Sequence, residues 1–597
     1  MNLNKKEFLR RYIVSLKERT RNEKNNKVNY GFDWIIYQLR IGNDETPYNL
    51  PFLRSENQEN FKTKTEAQFG IDLAFLNKEK TILTIFVLKD EPLQYKNWIT
   101  NNFESDLRRA TNPDLQGLKL HEVKIVLAYN KDEDAAGLKS FENFTNSCNT
   151  TIHDQVSLSF ERWNLDRIVE EVESNLLTPE LMPQDLSSIL SYMCSQLSDF
   201  EYMSEEWQKQ LVPNWKRFLN TILQNDIDET KINLIPIALI IMSKYKKDSP
   251  DSEIGWIDLT EWAALYLWDK YRNLKTLNQK QSVMNFWKIF YLAQLEDYNL
   301  KNKLLFEIEN GIQTDRSKLG HLSAINDSLL AYDFIGKFGI MTLGISELIN
   351  NEEKDTRDLF IQDKAIELNN FITLNPSTLR PLLDIHHIQI FLIWLIFYFS
   401  RFENIIENWL LNLLNYLTSR RIGNMVPFIE GGNRLDLVCE FTGTGVRPDE
   451  YIDDSSYLLM MILEICFGLK SDNKKLTELF FKHIVLGYGD NNELLIKEEK
   501  SINLQSWVPP DNWDEKIFLN KATQEGIVVD ISDFWIRLDN LEELDNRILD
   551  SIQKSINKFP NKIDNDIPLS VYILGCLKNQ SPLPPFFWRH LKFKELH

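Results

Sequence analysis

Little in this chain announces a chemistry through local spacing. Its five cysteines, Cys148, Cys194, Cys439, Cys466 and Cys576, lie far apart, and no CxxC pair or zinc-ligand spacing occurs. That excludes a sequence-local metal finger or dithiol centre and suits free, buried thiols in a reducing cytoplasm, the compartment expected for the chain. There is no GxxxxGK(S/T), no HExxH and no GxSxG, so a P-loop ATPase, a zincin-type protease and a nucleophile-elbow hydrolase are not expected. Gly443-Thr444-Gly445 lacks the third glycine and the preceding strand–helix unit of a dinucleotide fingerprint. His386-His387, preceded by Asp384-Ile385, has no further His or Cys clustered with it and reads as a helix-start packing feature. Long apolar runs are missing too. The most apolar, Ile388 to Phe399, is about 12 residues where a bilayer needs roughly 20, so it reads as a buried helix and no membrane partner is expected. The first residues, MNLNKKE, lack the apolar stretch of a signal peptide.

Positive charge is also in short supply. The net charge is −19, from 68 Lys and Arg against 87 Asp and Glu. Residues 1–176 hold 25 basic and 27 acidic side chains, so the remainder carries −17. Long-range attraction of nucleic acid by the C-terminal part is therefore disfavoured, and a local basic groove has room only in the N-terminal part.

What the chain does contain is core material. Hydrophobic residues make up 43% and aromatics 12%, enough to bury several cores, and 597 residues are too many for one domain. Residues 4–22 carry a helical stripe of Phe8, Leu9, Tyr12, Ile13 and Leu16, with a basic face that reads as solvated surface. Asp33 to Ile41 is a short helix or strand, and Asn43 to Asn60, with Pro47 and Pro51, reads as loop. Leu93 to Ala110 reads as one helix through Ile99, Phe103 and Leu107, with Asp106, Arg108 and Arg109 outward. A strand at Val123–Tyr129, a helix over 134–146, a strand through Val156, Leu158 and Phe160 and a helix from Leu165 to Leu176 follow. This order predicts an α/β domain with a mixed sheet flanked by helices over residues 1–178. After Pro179 and Pro183 the texture turns helical, with a domain expected over 184–420 and a helical C-terminal lobe over 421–597. That lobe is expected to hold a long loop at Gly423–Tyr451 and a small β element within 501–540, and Pro584 to His590 is expected to pack the tail against the helices.

Against this helical background, Thr65 to Glu91 (TEAQFGIDLAFLNKEKTILTIFVLKDE) reads as a β-hairpin that carries charge. Its first arm alternates Ile71, Leu73 and Phe75 against Asp72. Its second, Ile82 to Leu88, is apolar enough to be buried on both faces and ends on Lys89. Metal-dependent phosphodiester hydrolysis needs hard oxygen ligands, an activated water and positive charge beside the phosphate. Glu66 and Asp72, a main-chain carbonyl of the second strand at Leu88, and Lys89 are the candidates. A solvated strand exit, with Asp72 capping a turn or pairing with Lys89, is the alternative reading.

These residues resemble the restriction-endonuclease-like superfamily, whose signature is PD-(D/E)xK, and within it the Mrr-type, defence-associated branch. The resemblance covers roughly residues 30–176 and rests on Glu66, Gly70-Ile71-Asp72 and Val87-Leu88-Lys89. It implies Mg²⁺ or Mn²⁺ at Glu66, Asp72 and the Leu88 carbonyl, with Lys89 at the scissile phosphate. It further implies DNA as substrate and a role as nuclease effector against phage under control of the helical region. That region would supply a protein partner or a homo-oligomer contact. Arg108 and Arg109, at the end of the helix after the hairpin, are candidates for phosphate contact or a surface pair. The motif is degenerate at Val87, where the family has Glu, Asp or Gln. Three outcomes stay open. Glu66, Asp72 and the Leu88 carbonyl suffice, or Asp90 or Glu91 substitutes, or the domain has kept the fold and lost the chemistry, acting as a protein- or nucleic-acid-binding subunit.

Overall fold

The computed structural model describes residues 2–17, 21–22, 28–29, 31–48, 71–152 without 114 and 116, 156–199 without 198, 206–224, 229–245, 250–299 without 272 and 275, 303–312, 322–349, 354–382, 386–422 and 457–468, with shorter pieces at 476, 479–480, 505–508, 513, 527–530, 567–579 and 581–583. Two compact units divide it, Met1–Phe286 and Trp287–His597.

The first unit is built on a six-stranded mixed sheet. Helices α1 (Asn2–Ser15) and α2 (Phe32–Gly42) precede strands β3 (Thr46–Pro47), β4 (Leu73–Leu76) and β5 (Ile82–Lys89), after a two-residue pair β1 (Arg21–Asn22) and β2 (Val28–Asn29). Helices α3 (Tyr95–Thr100) and α4 (Phe103–Ala110) carry the chain over to β6 (Glu122–Tyr129); α5 (Ala135–Ser147), β7 (Thr151–Ile152), β8 (Val156–Trp163) and α6 (Leu165–Glu171) follow. The sheet order is β3-β4-β5-β6-β8-β7. Strands β3, β4 and β5 run antiparallel, whereas β5, β6 and β8 are parallel, with Lys89 opposite Tyr129 and Ala128 opposite Trp163. The α/β layer with helical flanks therefore stands as expected. Two local readings are corrected. Part of the Asn43–Asn60 loop forms β3, paired to Phe75 and Leu76. The single helix over Leu93–Ala110 is broken at Asn102, whose φ of 59° is left-handed, so Ile99 points to solvent at 61% exposure.

Strand β5 is buried on both faces because helices cover both. On one face Leu83, Ile85 and Val87 join Val123, Ile125 and Leu127, under Trp98, Phe103, Leu107 and Phe144 from α3, α4 and α5. On the other, Phe86 packs edge-on against Phe75 and Trp163, and Arg40 of α2 lies 5.6 Å over Phe86 and 5.5 Å over Trp163. Nearly every rung of β5 is thus apolar, and the two faces are sealed independently. The basic side of α1 is exposed to solvent, as expected, and is matched there by acids. Lys6 pairs with Glu170 at 3.5 Å, and Arg10 bridges Asp132 at 2.6 Å and Asp166.

Helices α7 (Gln184–Leu197), α8 (Val212–Ile222), α9 (Glu229–Ser243), α10 (Pro250–Tyr271) and α11 (Leu277–Asp297) follow, the last crossing the division between units. Asn233 and Thr230 of α9 donate to the Arg11 and Ser15 carbonyls, tying α9 to α1.

In the second unit α12 (Leu322–Leu348), α13 (Lys354–Leu374), α14 (His387–Ser400), α15 (Glu403–Ile422), α16 (Tyr457–Gly468) and α17 (Leu569–Asn579) dominate. The apolar run at Ile388–Phe399 is the buried helix α14, packed by α12, α13, α15 and α16. Within α12, Ile325–Leu348 is long and apolar enough to cross a membrane by length and composition, yet 78% of its apolar 18-residue window is buried in the protein. The expected small β element is present as β9 (Gln505–Val508) paired with β10 (Ile527–Asp530). Gly423–Tyr451 and Pro584–His590 lie outside the described residues.

Candidate functional site

Asp72 and Lys89, singled out in the sequence, lie at the carboxyl edge of the parallel strands, where β5 ends. Asp72 precedes β4, its N–H donating to the Phe86 carbonyl at 3.0 Å, so it lies beside the last turn of β5. Its Oδ2 accepts the Leu88 N–H at 2.7 Å. A carboxylate on a backbone donor is a charge-assisted bond, and it clamps the strand end to its neighbour. Asp72 is thus drawn to the Leu88 main chain rather than to Lys89. Glu66 and Gly70 lie outside the described residues.

Lys89 is the surprise. It is 7% exposed, and its Nζ donates to Asp106 Oδ2 at 2.7 Å while standing 5.5 Å over the Phe103 ring. Asp106, read in sequence as outward, turns in. Phe103, Leu107 and Ala110 form the buried face of α4. Asp106, three residues after Phe103, then sits at the rim of that face, above Lys89. A buried ammonium at a strand tip requires a counter-charge, and that requirement is the one sequence signal for Asp106.

Val87 shares its strand face with Lys89 and is fully buried in the apolar cluster under α3, α4 and α5. The position that would hold a metal-binding acid is filled by core packing. Asp90 and Glu91 are half-buried beyond the strand, and Asp90 is close enough to Lys131 to act on its charge. Lys131 in turn donates to the Val14 carbonyl of α1.

Neighbouring charges at this edge are also paired. Glu133 accepts from Tyr129 Oη, from Arg162 at 2.6 Å and from Asn164 at 3.4 Å. Burial raises the Glu133 carboxyl, but these donors outweigh it and hold it below its ordinary value. Burial and the same carboxylate push the Tyr129 hydroxyl upward. Arg108 donates to Glu104 at 2.8 Å and lies over Phe144, and Arg109 faces Asp106 at 3.7 Å. Both arginines are more than half exposed, with acids of their own helix as partners.

No family model, curated protein or solved structure matches this chain. Its chemistry is therefore read from the donor set itself. Mg²⁺ takes about six oxygen ligands, several of them water, with one or two carboxylates from the protein. Here the described edge offers Asp72, already bonded to Leu88 N–H, and Asp106, bonded to Lys89; Val87 offers none. Among the described residues no group of three or more His, Cys, Asp or Glu is arranged to share an ion. Of the ligands the resemblance implies, Asp72 and Leu88 stand together at the described edge, and Glu66 lies outside the described residues.

In the second unit, the histidine pair is packed as expected. His386 Nδ1 accepts the Leu382 N–H at 3.1 Å and its ring stacks on Tyr332 at 4.2 Å, while His387 Nε2 accepts the Leu583 N–H at 2.9 Å. With both nitrogens receiving backbone donors, the pair is a structural clasp.

Proposed function

We propose that the α/β domain is a nuclease-like module without hydrolytic activity, and that the chain serves as a protein-binding component of a multi-subunit defence complex. The observation that carries this reading is the use of Lys89. Its charge is neutralised by Asp106 beneath α4, next to a Val87 sealed in the core. A lysine that stabilises a developing phosphate charge must instead face substrate. Element order supports the nuclease-like part. One helix, three antiparallel strands, a helical crossover and a parallel strand bring Asp72 and Lys89 to neighbouring strand ends.

A protein partner is favoured over nucleic acid by charge. Lys6, Arg10, Arg11 and Arg108 each have an acidic partner within the chain, and the remainder past residue 176 is strongly acidic. Tyr95 and Ile99, four apart on α3 and 59% and 61% exposed, offer an apolar pair of the kind interfaces use. The second reading, a Mg²⁺- or Mn²⁺-dependent DNA nuclease using Glu66, Asp72, the Leu88 carbonyl and Lys89, rests on the shared edge of Asp72 and Lys89. Incubating purified protein with duplex DNA, single-stranded DNA and RNA in each metal separates the two. A non-hydrolytic module leaves all substrates intact. Cleavage by wild type that disappears in Asp72→Ala and in Lys89→Ala establishes the second reading instead.

A further inference from the structure

A cavity of about 170 Å³ lies in the second unit where the ends of α12 and α14 meet the starts of α13 and α17. It is close to the roughly 150 Å³ of an engineered cavity that takes up benzene, so it holds a ring-sized body but no nucleotide. Its inner wall is apolar, formed by Leu343, Ile361 and Leu569, all buried, with the half-buried rings of Tyr398 and Phe399 beside them.

Its charge is unusual for so acidic a chain. Lys354, Arg357 and Arg401 line it, against Glu347 and Asp358. Glu347 is occupied elsewhere, because its carboxylate caps α17 by accepting the Leu569 N–H at 2.7 Å, the Ser570 N–H at 3.3 Å and the Ser570 hydroxyl. Arg357, 13% exposed at its side chain, has Asp358 as ion-pair partner at 3.8 Å, beyond hydrogen-bond reach. Among the described residues Lys354 and Arg401 form no ion pair. Three cations therefore face one available carboxylate around an apolar pocket.

Arg401 adds an independent mark. It follows α14 with φ 61° and ψ 29°, its N–H closing onto the Phe397 and Tyr398 carbonyls. A left-handed position after a helix is the usual place for glycine, which adopts it without a Cβ clash. An arginine here accepts an unfavourable backbone and supplies a guanidinium at the cavity mouth.

We propose that this cavity binds a small organic anion, a carboxylate or phosphate monoester on a single ring-sized apolar body. The head meets Arg357, Arg401 and Lys354, and the body packs on Leu343, Ile361 and Phe399. Nothing in this proposal depends on the nuclease-like reading of the first unit.

Titration of the full chain with phenyl phosphate and with benzoate, by calorimetry and thermal shift, tests it. At least one of the two binds saturably, and which one identifies the head group. Phenol, lacking the charge, and inorganic phosphate, lacking the ring, bind more weakly. Arg401→Gly is the decisive variant. Glycine suits the left-handed backbone, so the ligand-free protein keeps its melting temperature, while affinity for the ring-bearing anion falls about tenfold with the lost charge-assisted contact. Lys354→Glu, on an exposed first-turn residue, weakens binding in the same direction. The proposal is overturned if neither phenyl phosphate nor benzoate saturates at millimolar concentration. It is equally overturned if phenol or inorganic phosphate binds as tightly as they do, or if Arg401→Gly and Lys354→Glu both retain wild-type affinity.

Discussion

Single side chains decide the character of the strand edge. Val87 occupies the place of an expected acid, and its burial among Trp98, Phe103 and Leu107 is what makes an acid there costly. Val87→Glu is expected to destabilise the first unit by roughly 4 kcal/mol or more, since full burial lifts a carboxyl by three units or so at 1.36 kcal/mol each. The introduced acid's folded value lies above its unfolded one, so the penalty shrinks as pH falls toward about 4.3. Urea unfolding of this variant at pH 7 and pH 4.5 measures both effects, and equal stability to wild type at pH 7 would mean the site is open rather than packed. His386 gives a second case at this scale. Burial and the neighbouring His387 lower it from 6.5 to about 3, and a proton on Nδ1 would oppose the Leu382 N–H. The unfolded chain therefore takes up a proton that the folded chain refuses. Stability contributed by neutral His386 is present above pH 6.5 and is lost as pH falls toward about 3, at a slope approaching 1.4 kcal/mol per pH unit. His386→Gln, which keeps an acceptor without titrating, should flatten the slope by one proton in pH-dependent unfolding.

Among elements, the hairpin was legible and the crossover was not. The first arm does not alternate as read: β4 is buried at all four residues, and Ile71 joins Ala74 and Leu76 in the core while Phe75 packs on Phe86 on the other face. The apolar run of β5 did specify its strand. The helix after it was misjudged because Ile99, Phe103 and Leu107 keep helical spacing across a break that only the left-handed Asn102 reveals. Asp106 lies three residues after Phe103 with or without that break, so its pairing with Lys89 is a tertiary contact that local spacing does not carry. Helix α5 illustrates a tight element contact. Asp134 caps it by accepting the Gly137 N–H at 2.6 Å, and a Cβ on Gly137 would lie 2.2 Å from the Leu93 carbonyl oxygen. Gly137→Ala raises helix propensity by up to about 1 kcal/mol, but the clash is with backbone that cannot rotate away. A net loss of about 1–3 kcal/mol in urea unfolding is expected from overpacking, and a stabilised variant would show that the Leu93 segment yields.

At the scale of the whole molecule, the order of strands is that of a mixed α/β layer, while Lys6, Arg10, Arg108 and Lys89 each pair with an acid of the chain. The sequence carried the acidity of the helical part and the buried nature of α14, since both follow from composition. It could not carry the ion pairs, which form between residues such as Arg10 and Asp166 that are far apart in the chain. The central claim is that Lys89 holds the fold and does not act on phosphate. A double-mutant cycle of Lys89→Ala, Asp106→Ala and the pair, by equilibrium unfolding in urea, tests it most directly. Each single change should cost about 3 kcal/mol by leaving a buried charge alone, and the double change should cost less than the sum by about 1–3 kcal/mol. Additive, near-zero losses would show that Lys89 contributes nothing to stability and would contradict its structural role.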